Sequence, residues 1–160
     1  MSHQATEPPW YATVVIPALL RHARTSYGEV MGAALAAIGC DDMPRNGMYV
    51  IGGLAVAGGA PISQLVKELG VSKQAAGQLV DVLVLRGYLD RSVDASDRRR
   101  LNITLTPRGQ AAAAAQSAAR ERVDAKLVAI VGPECVSSMR KALGVLCNIR
   151  ETGGDDDPDE

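Results

Sequence analysis

Three consecutive arginines, Arg98, Arg99 and Arg100, are the strongest candidates for chemistry in this 160-residue chain. A guanidinium group presents several N–H donors in one rigid plane, and it suits phosphates and narrow grooves better than an ammonium group does. The arginines lie between two segments, 88–93 and 101–105, of which the second alternates apolar and polar residues like a half-buried strand. Cationic side chains at the tip of such a β-hairpin cannot join a core, but they can reach a polyanion.

Two short helices are predicted immediately before this hairpin. The first, 61–69, is amphipathic, and Gly70 after it suits a C-cap in the left-handed conformation. Ser72 is a favourable N-cap for the second helix, which we expect to end near Arg86 with Gly87 as its stop. Helix, tight turn, helix and basic hairpin together are typical of a winged helix-turn-helix, whose second helix enters the major groove of DNA.

The spacing of short motifs between about residues 60 and 109 is more specific than this order of elements. The motifs are Leu69-Gly70-Val71-Ser72-Lys73, Leu79-Val80-Asp81, Leu83, Arg86-Gly87-Tyr88-Leu89, Asp97-Arg98-Arg99-Arg100 and Leu105-Thr106-Pro107-Arg108-Gly109. In order and spacing they resemble the multiple antibiotic resistance regulator (MarR) family of bacterial transcription factors. The resemblance implies a homodimeric winged-helix repressor or activator that usually answers a small phenolic or other amphipathic ligand, or an oxidant.

The predicted recognition helix carries two glutamines, Gln74 and Gln78, four residues apart on its outer face. Glutamine can pair with N6 and N7 of adenine through two hydrogen bonds. We therefore predict that both contact bases or phosphates; the alternative is that they are solvated surface residues. Ser72 and Lys73, at the start of the helix, are better placed for contacts with phosphate groups.

The resemblance also implies roles for the four charged residues of the wing. In the family's Asp-x-Arg pair, the carboxylate of Asp97 steadies Arg99, and this arginine enters the minor groove. Arg98 and Arg100 then contact phosphates, or Arg100 braces the base of the wing.

Two features of the recognition helix depart from the family pattern. Val82, Val84 and Leu85 occupy positions where the family usually has charged residues, so this half of the helix is expected to pack on the neighbouring subunit or on the wing. Gly77, in mid-helix, costs about 1 kcal/mol relative to alanine. It either permits close approach of the DNA backbone or is simply tolerated. The apolar half motivates an alternative function: a ligand-binding or protein-interaction module with weak DNA binding.

The rest of the chain is predicted to be helical, which gives a mainly α fold with a small β-hairpin. The winged helix-turn-helix is flanked by N- and C-terminal dimerisation helices. We divide the chain into an N-terminal arm (1–16), a helical dimerisation region (17–43 with 107–150), a winged helix-turn-helix region (44–106) and a disordered acidic tail (151–160).

The terminal helices carry more apolar residues than one small core needs. The first, predicted from Pro17 to Gly39, has an apolar stripe made of Leu20, Ala23, Tyr27, Val30, Ala34 and Ile38. The last, 134–150, is expected to turn Val136, Met139, Leu143, Leu146 and Cys147 inward. Dimerisation through these helices covers both faces, and two subunits can then address a palindromic operator.

The formal net charge of −1 is low for a DNA-binding protein, but the charges are unevenly distributed. Residues 61–110 contain eight Lys or Arg and five Asp or Glu, a net charge of +3. Residues 151–160 contain six acidic residues and no basic one. This tail is interpreted as a solubilising terminus, or alternatively as a DNA mimic that competes for the basic face.

From its apolar pattern we expect the chain to have neither a transmembrane helix nor a signal peptide. Three cysteines without metal-type spacing fit a reducing cytoplasm, where we expect the protein. The two histidines form no Ser-His-Asp pattern, and the glycines between 52 and 59 lack the Gly-Lys-Ser/Thr ending of a phosphate loop. We therefore predict that the protein is not an enzyme and uses no metal or cofactor.

A ligand pocket is expected where the first helix, the second helix and the winged motif meet. The candidate ligand-binding residues are His22, Tyr27, Met31, Met48 and Tyr49. The alternative is that these five are ordinary packing or interface residues.

The cysteines allow a second mode of regulation. Cys40 follows a predicted helix end and is expected to be partly exposed, although Asp41 and Asp42 beside it disfavour a thiolate. Cys135 and Cys147 are twelve residues apart on one helix, too far to form a disulfide within a chain. The cysteines are therefore structural or form an intersubunit disulfide, and a thiol-based oxidant sensor is kept as an alternative to a homodimeric repressor released by a small molecule.

Overall fold

The computed structural model describes residues 8–44, 46–93 and 101–152. In chain order these residues form a 3-10 turn (Trp10–Ala12), α1 (Ile16–Ala36), α2 (Gly47–Ala57), β1 (Ala60–Pro61), α3 (Ile62–Leu69), α4 (Lys73–Leu85), β2 (Leu89–Val93), β3 (Leu101–Leu105), α5 (Pro107–Val131) and α6 (Pro133–Thr152). The predicted fold class, a mainly helical winged helix-turn-helix, is confirmed.

The chain divides into two compact units. The first, residues 1–120, contains α1 to β3 and the beginning of α5, and the second, residues 121–160, contains the end of α5 and α6. The hairpin tip (94–100) and residues 153–160 lie outside the described residues, so the wing residues and most of the acidic tail do as well. The described part of α6 ends at Thr152, two residues past the predicted start of that tail.

The turn between α3 and α4 follows the local signals in the sequence. Gly70 ends α3 in the left-handed conformation with φ 62°, which a residue with a Cβ rarely adopts. Ser72 then caps α4, because its hydroxyl oxygen accepts a hydrogen bond from the backbone N–H of Ala75 at 3.1 Å. Both predicted caps are confirmed, and together they fix the angle at which the second helix leaves the first.

The sheet has three strands in the order β1-β3-β2, and all neighbours are antiparallel. β2 and β3 pair from Leu89 opposite Leu105 to Val93 opposite Leu101, as the hairpin prediction requires. β1 was not predicted, because it has only two residues and one of them is Pro61. Proline has no N–H to donate, and it is tolerated here because β1 is an edge strand.

One core holds the elements of the first unit together. Buried residues from six of its elements include Leu35, Val50, Ile51, Leu54, Val80, Leu83, Leu89, Ile103, Ala112 and Ala113. Burial of each large aliphatic side chain contributes about 1.5–3 kcal/mol. On α4 the predicted inner face is confirmed, since Ala76, Val80 and Leu83 are buried and Leu79 is half-buried. The outer face of the helix is therefore held toward solvent.

The terminal helices leave more of their apolar side chains exposed than the elements of this core do. On α1 only Leu35 is buried, whereas Leu20, Val30 and Ile38 of the predicted stripe are 37%, 38% and 47% exposed. α1 also ends at Ala36, earlier than predicted.

The prediction for the last helix was partly wrong. Val136 is buried and Leu143 is half-buried, but Met139, Leu146 and Cys147 are exposed rather than turned inward. Among the described residues the second unit consists of α6 and the end of α5, and apolar side chains of α6 remain exposed.

Candidate nucleic-acid interface

The start of α4 presents polar side chains from a rigid helix. Lys73, Gln74 and Gln78 are exposed, while the opposite face of the helix is buried in the core. Ser72 is also exposed, and its cap uses the hydroxyl oxygen as an acceptor, which leaves its O–H free to donate to a phosphate. Ser72, at the N-cap, and Lys73, Gln74 and Gln78, in the N-terminal half of α4, are therefore all accessible.

The wing is tied to α4 by an ion pair that was not predicted. Arg91 on β2 donates to the carboxylate of Asp81 on α4, and both side chains are partly exposed. This pair fixes the base of the hairpin against the recognition helix. No local pattern in the sequence could identify it, because the two residues lie on different elements. Asp97, Arg98, Arg99 and Arg100, toward which β2 runs, lie outside the described residues.

The second half of α4 is mixed in character. Val84 packs against the core and Val82 is half-buried, so two of the three apolar residues have a structural role within the chain. Leu85 is 87% exposed. A Cβ added at Gly77 would meet no atom within 4 Å, so packing within the chain does not require a glycine there.

A polar cluster joins three distant segments behind the hairpin; we call Asp42, Arg86, Tyr88 and Arg108 the Asp42 cluster. The buried Tyr88 donates its hydroxyl hydrogen to the carboxylate of Asp42, and Nη2 of Arg108 lies 2.9 Å from the same oxygen. The Arg108 guanidinium also lies 4.2 Å from the centre of the Tyr88 ring. Arg86 donates to the backbone carbonyl of Asp42, and Arg108 donates to that of Arg86.

The electrostatics of the cluster follow from these contacts. The hydrogen bond from Tyr88 and the charge of Arg108 hold the pKa of Asp42 below its usual range. Burial and the hydrogen bond to Asp42 raise the pKa of Tyr88. Asp42 is thus an anion and Tyr88 a neutral donor throughout the neutral pH range.

A cavity of about 290 Å³ lies between α1 and α2. It is lined by Arg24, Thr25, Gly28, Glu29, Met48 and Tyr49. Two of the five predicted ligand residues, Met48 and Tyr49, therefore line it, whereas His22, Tyr27 and Met31 do not.

Sequence reasoning missed both charged residues at this cavity, Arg24 and Glu29. Nε of Arg24 donates to the hydroxyl of Tyr49 at 2.8 Å, and the guanidinium carbon lies 4.7 Å from the centre of the ring. No sequence signal separates Arg24 from Arg21, one turn earlier. A larger cavity, about 560 Å³, lies between the end of α2, β3 and the start of α5, and none of the five predicted residues is among those that line it.

The prediction that Cys40 is partly exposed was wrong. Cys40 is only 3% exposed, because the turn after α1 folds back and the Cys40 N–H donates to the carbonyl of Leu35 at 2.9 Å. Cys135 and Cys147 are exposed. Within the described ranges no group of His, Cys, Asp and Glu could hold a metal ion. Among the helices of those ranges, none has the length and apolar character to cross a membrane.

Solved structures with this fold are transcriptional regulators. FabT of Streptococcus pneumoniae, solved in complex with DNA, has a TM-score of 0.73 and 22% identity, covering 86% of this chain and 96% of that chain. Apo MarR of E. coli has a TM-score of 0.60 and 18% identity, covering 83% and 96%. NadR in complex with 4-hydroxyphenylacetate has a TM-score of 0.67 and 17% identity, covering 87% and 96%. At these identities the likeness establishes the fold.

The comparison by sequence covers a shorter part of the chain than the comparison by structure does. No curated protein matches the chain. The sequence model of the MarR family matches residues 41–100, a segment that contains the Ser72 cap, all of α4 and the arginines before β3. The resemblance seen in the sequence is confirmed over this segment, which matches the MarR family of transcriptional regulators.

Proposed function

We propose that this protein is a homodimeric transcriptional repressor that binds a palindromic DNA operator and is released by a small anionic aromatic ligand. One observation supports the proposal that the protein binds DNA. The capped start of α4 exposes Ser72, Lys73, Gln74 and Gln78, and the adjoining hairpin leads into the arginine-rich segment 98–100. Lysine and arginine supply phosphate contacts, and glutamine supplies base contacts.

The exposed apolar residues of the terminal helices support the dimer. Leu20 and Val30 on α1, and Met139 and Leu146 on α6, are each between 37% and 42% exposed. Water contact with so many large apolar side chains is unfavourable, and a second copy of the chain can cover them. Two copies related by a two-fold axis would present two recognition helices to two half-sites.

The cavity between α1 and α2 supports the ligand. Arg24 offers a cation to a carboxylate, and the ring of Tyr49 and the thioether of Met48 offer apolar contacts. Glu29 at the same cavity offers an acceptor for a phenol hydroxyl. A phenolic carboxylate has all three features, and the 4-hydroxyphenylacetate in the solved NadR complex is a compound of this class.

The DNA-binding proposal is tested by binding-site selection from random duplexes, followed by gel shift with the selected operator. Lys73→Ala should weaken binding to all sequences alike, whereas Gln78→Ala should relax the preference at one base pair in each half-site. Lys126→Ala removes the same charge from α5 and serves as the matched control. If the wild-type protein selects no sequence, or if Lys126→Ala weakens binding as much as Lys73→Ala does, the proposal is wrong.

The ligand proposal is tested by calorimetric titration with 4-hydroxyphenylacetate and with the corresponding alcohol, which lacks the carboxylate. We expect the acid to bind more tightly, and we expect Arg24→Gln to remove the difference. Arg21→Gln removes the same charge from the same helix and should change nothing. Equal affinity for acid and alcohol in the wild-type protein would contradict an anionic ligand.

The 87% exposure of Leu85 favours one alternative, a protein-interaction module with weak DNA binding. The two proposals differ in the selection experiment, since an interaction module would yield no consensus sequence. The oxidant-sensor alternative is less supported, because Cys40 is buried and the exposed Cys135 and Cys147 lie on α6, outside the winged segment.

A further inference from the structure

We infer that Asp42 is a positioning residue for DNA binding: by joining the end of the recognition helix to the start of α5, it sets the half-site spacing that the dimer accepts. The inference rests on the proposed function, since it requires a dimer that reads two half-sites. It adds a role for a residue that lies outside α4 and outside the wing.

Asp42 is the point at which three segments meet. Its carboxylate accepts hydrogen bonds from Tyr88, at the beginning of the hairpin, and from Arg108, in the first turn of α5. Its backbone carbonyl accepts from Arg86, the residue directly after α4. Arg108 also donates to the carbonyl of Gly39 at 3.2 Å, so the same arginine closes the turn after α1.

The remaining contacts at this junction leave little freedom for rearrangement. The hydroxyl of Thr106 donates to the carbonyl of Gly87 at 2.6 Å and accepts from the N–H of Gly109 at 3.1 Å. A Cβ added at Gly109 would collide with the backbone carbonyl of Tyr88. The hairpin and α5 are therefore in direct backbone contact, and the Asp42 carboxylate links this pair to the loop between α1 and α2.

Because of its position, the Asp42 cluster can affect where the predicted DNA-contacting residues lie. α4 has 13 residues, and the cluster holds its C-terminal end, whereas Ser72, Lys73 and Gln74 lie at its N-terminal end. A helix of this length spans about 20 Å, so a rotation of roughly 5° at one end moves the other by about 2 Å. In a dimer the displacement occurs twice, which changes the separation of the two recognition helices.

Weakening the acceptor at Asp42 should therefore loosen the position of α4 relative to α5 without removing any contact with DNA. In Asp42→Asn the side chain keeps its size but loses the charge that Arg108 faces and becomes a weaker acceptor for the buried Tyr88 hydroxyl. We expect the variant to bind the selected operator less tightly and to tolerate altered operators better.

The test compares Asp42→Asn with Asp41→Asn, which removes the same charge from the exposed neighbouring residue. The probes are the operator selected by the wild-type protein, the same duplex with one base pair inserted at or deleted from its centre, and a mixed-sequence duplex. For Asp42→Asn we expect the ratio of affinities for the natural and altered spacings to fall about tenfold. Asp41→Asn should keep the wild-type ratio.

A second variant, Tyr88→Phe, removes the donor and keeps the ring beneath Arg108. It should lower the same ratio, and the double variant should do little more than Asp42→Asn alone, because both changes act on the hydrogen bond between Tyr88 and Asp42. The inference is overturned if Asp42→Asn and Asp41→Asn behave alike, or if both cluster variants weaken binding to every duplex equally. If the wild-type protein shows no sequence preference, the proposed function fails first, and the inference fails with it.

Discussion

The winged-helix segment and the terminal helices use their apolar residues differently. In the first, Ile51, Leu83 and Ile103 are at most 1% exposed, and strands, helices and the Asp42 cluster are joined by contacts within one chain. In α1 and α6, apolar residues such as Val30 and Leu146 remain well exposed. The described part of the segment that matches the MarR family therefore has its own buried core, whereas the terminal helices have a surface suited to a second copy of the chain.

The largest effect is expected in the core of the winged-helix segment. Leu83→Ala should lower the free energy of unfolding by about 2–5 kcal/mol, because it leaves a cavity where a fully buried side chain was. Urea denaturation followed by circular dichroism measures this. An effect below about 1 kcal/mol would show that α4 does not pack on the core as described.

A charge on the exposed apolar face of α6 should act on association instead of on folding. We expect Leu146→Asp to weaken the dimer strongly, since burial of an unpaired charge in an interface is costly. Ser137→Asp places the same charge about half a turn around the helix, because nine residues at 3.6 per turn make two and a half turns, and it serves as the control. Sedimentation equilibrium distinguishes them; equal dissociation constants would remove α6 from the interface.

A smaller and opposite effect is expected at Gly77, a half-buried position in the middle of α4. Gly77→Ala should raise the free energy of unfolding by about 1 kcal/mol, because alanine favours a helix and its Cβ meets open space. Thermal unfolding measures the gain, and a loss of stability would contradict the described packing. A gel shift on the same variant shows whether the DNA backbone comes close to this position.

The smallest effect is expected from the titration of Asp42. Its pKa is lower in the folded protein, so the stability that it contributes is present above the unfolded-state pKa of about 3.9 and is lost as the pH falls through the folded value. The wild-type protein should therefore lose more stability than Asp42→Asn on acidification below about pH 4. Identical curves for the wild-type protein and Asp42→Asn would contradict the link to Tyr88 and Arg108.

The sequence predicted features that depend on local chemistry. Gly70 and Ser72 fix the turn between α3 and α4 by their own conformational preferences, and the alternation of 101–105 is read directly as a strand. The Asp42 cluster was not predicted, because Asp42 and Tyr88 are 46 residues apart and only the folded core brings them together. Cys40 was misjudged for the same reason: its place after a predicted helix end indicates exposure, but the turn folds the thiol inward. Arg24 was missed because its partner Tyr49 lies on another helix.

The central claim is that two copies of this chain read one symmetric DNA site. Native mass spectrometry of the protein bound to its selected duplex tests this most directly, together with the symmetry of the selected sequence. The account predicts two chains per duplex and a dyad-symmetric site with half-site centres about one helical turn apart. One chain per duplex on an asymmetric site, or no sequence-selective complex, would contradict it.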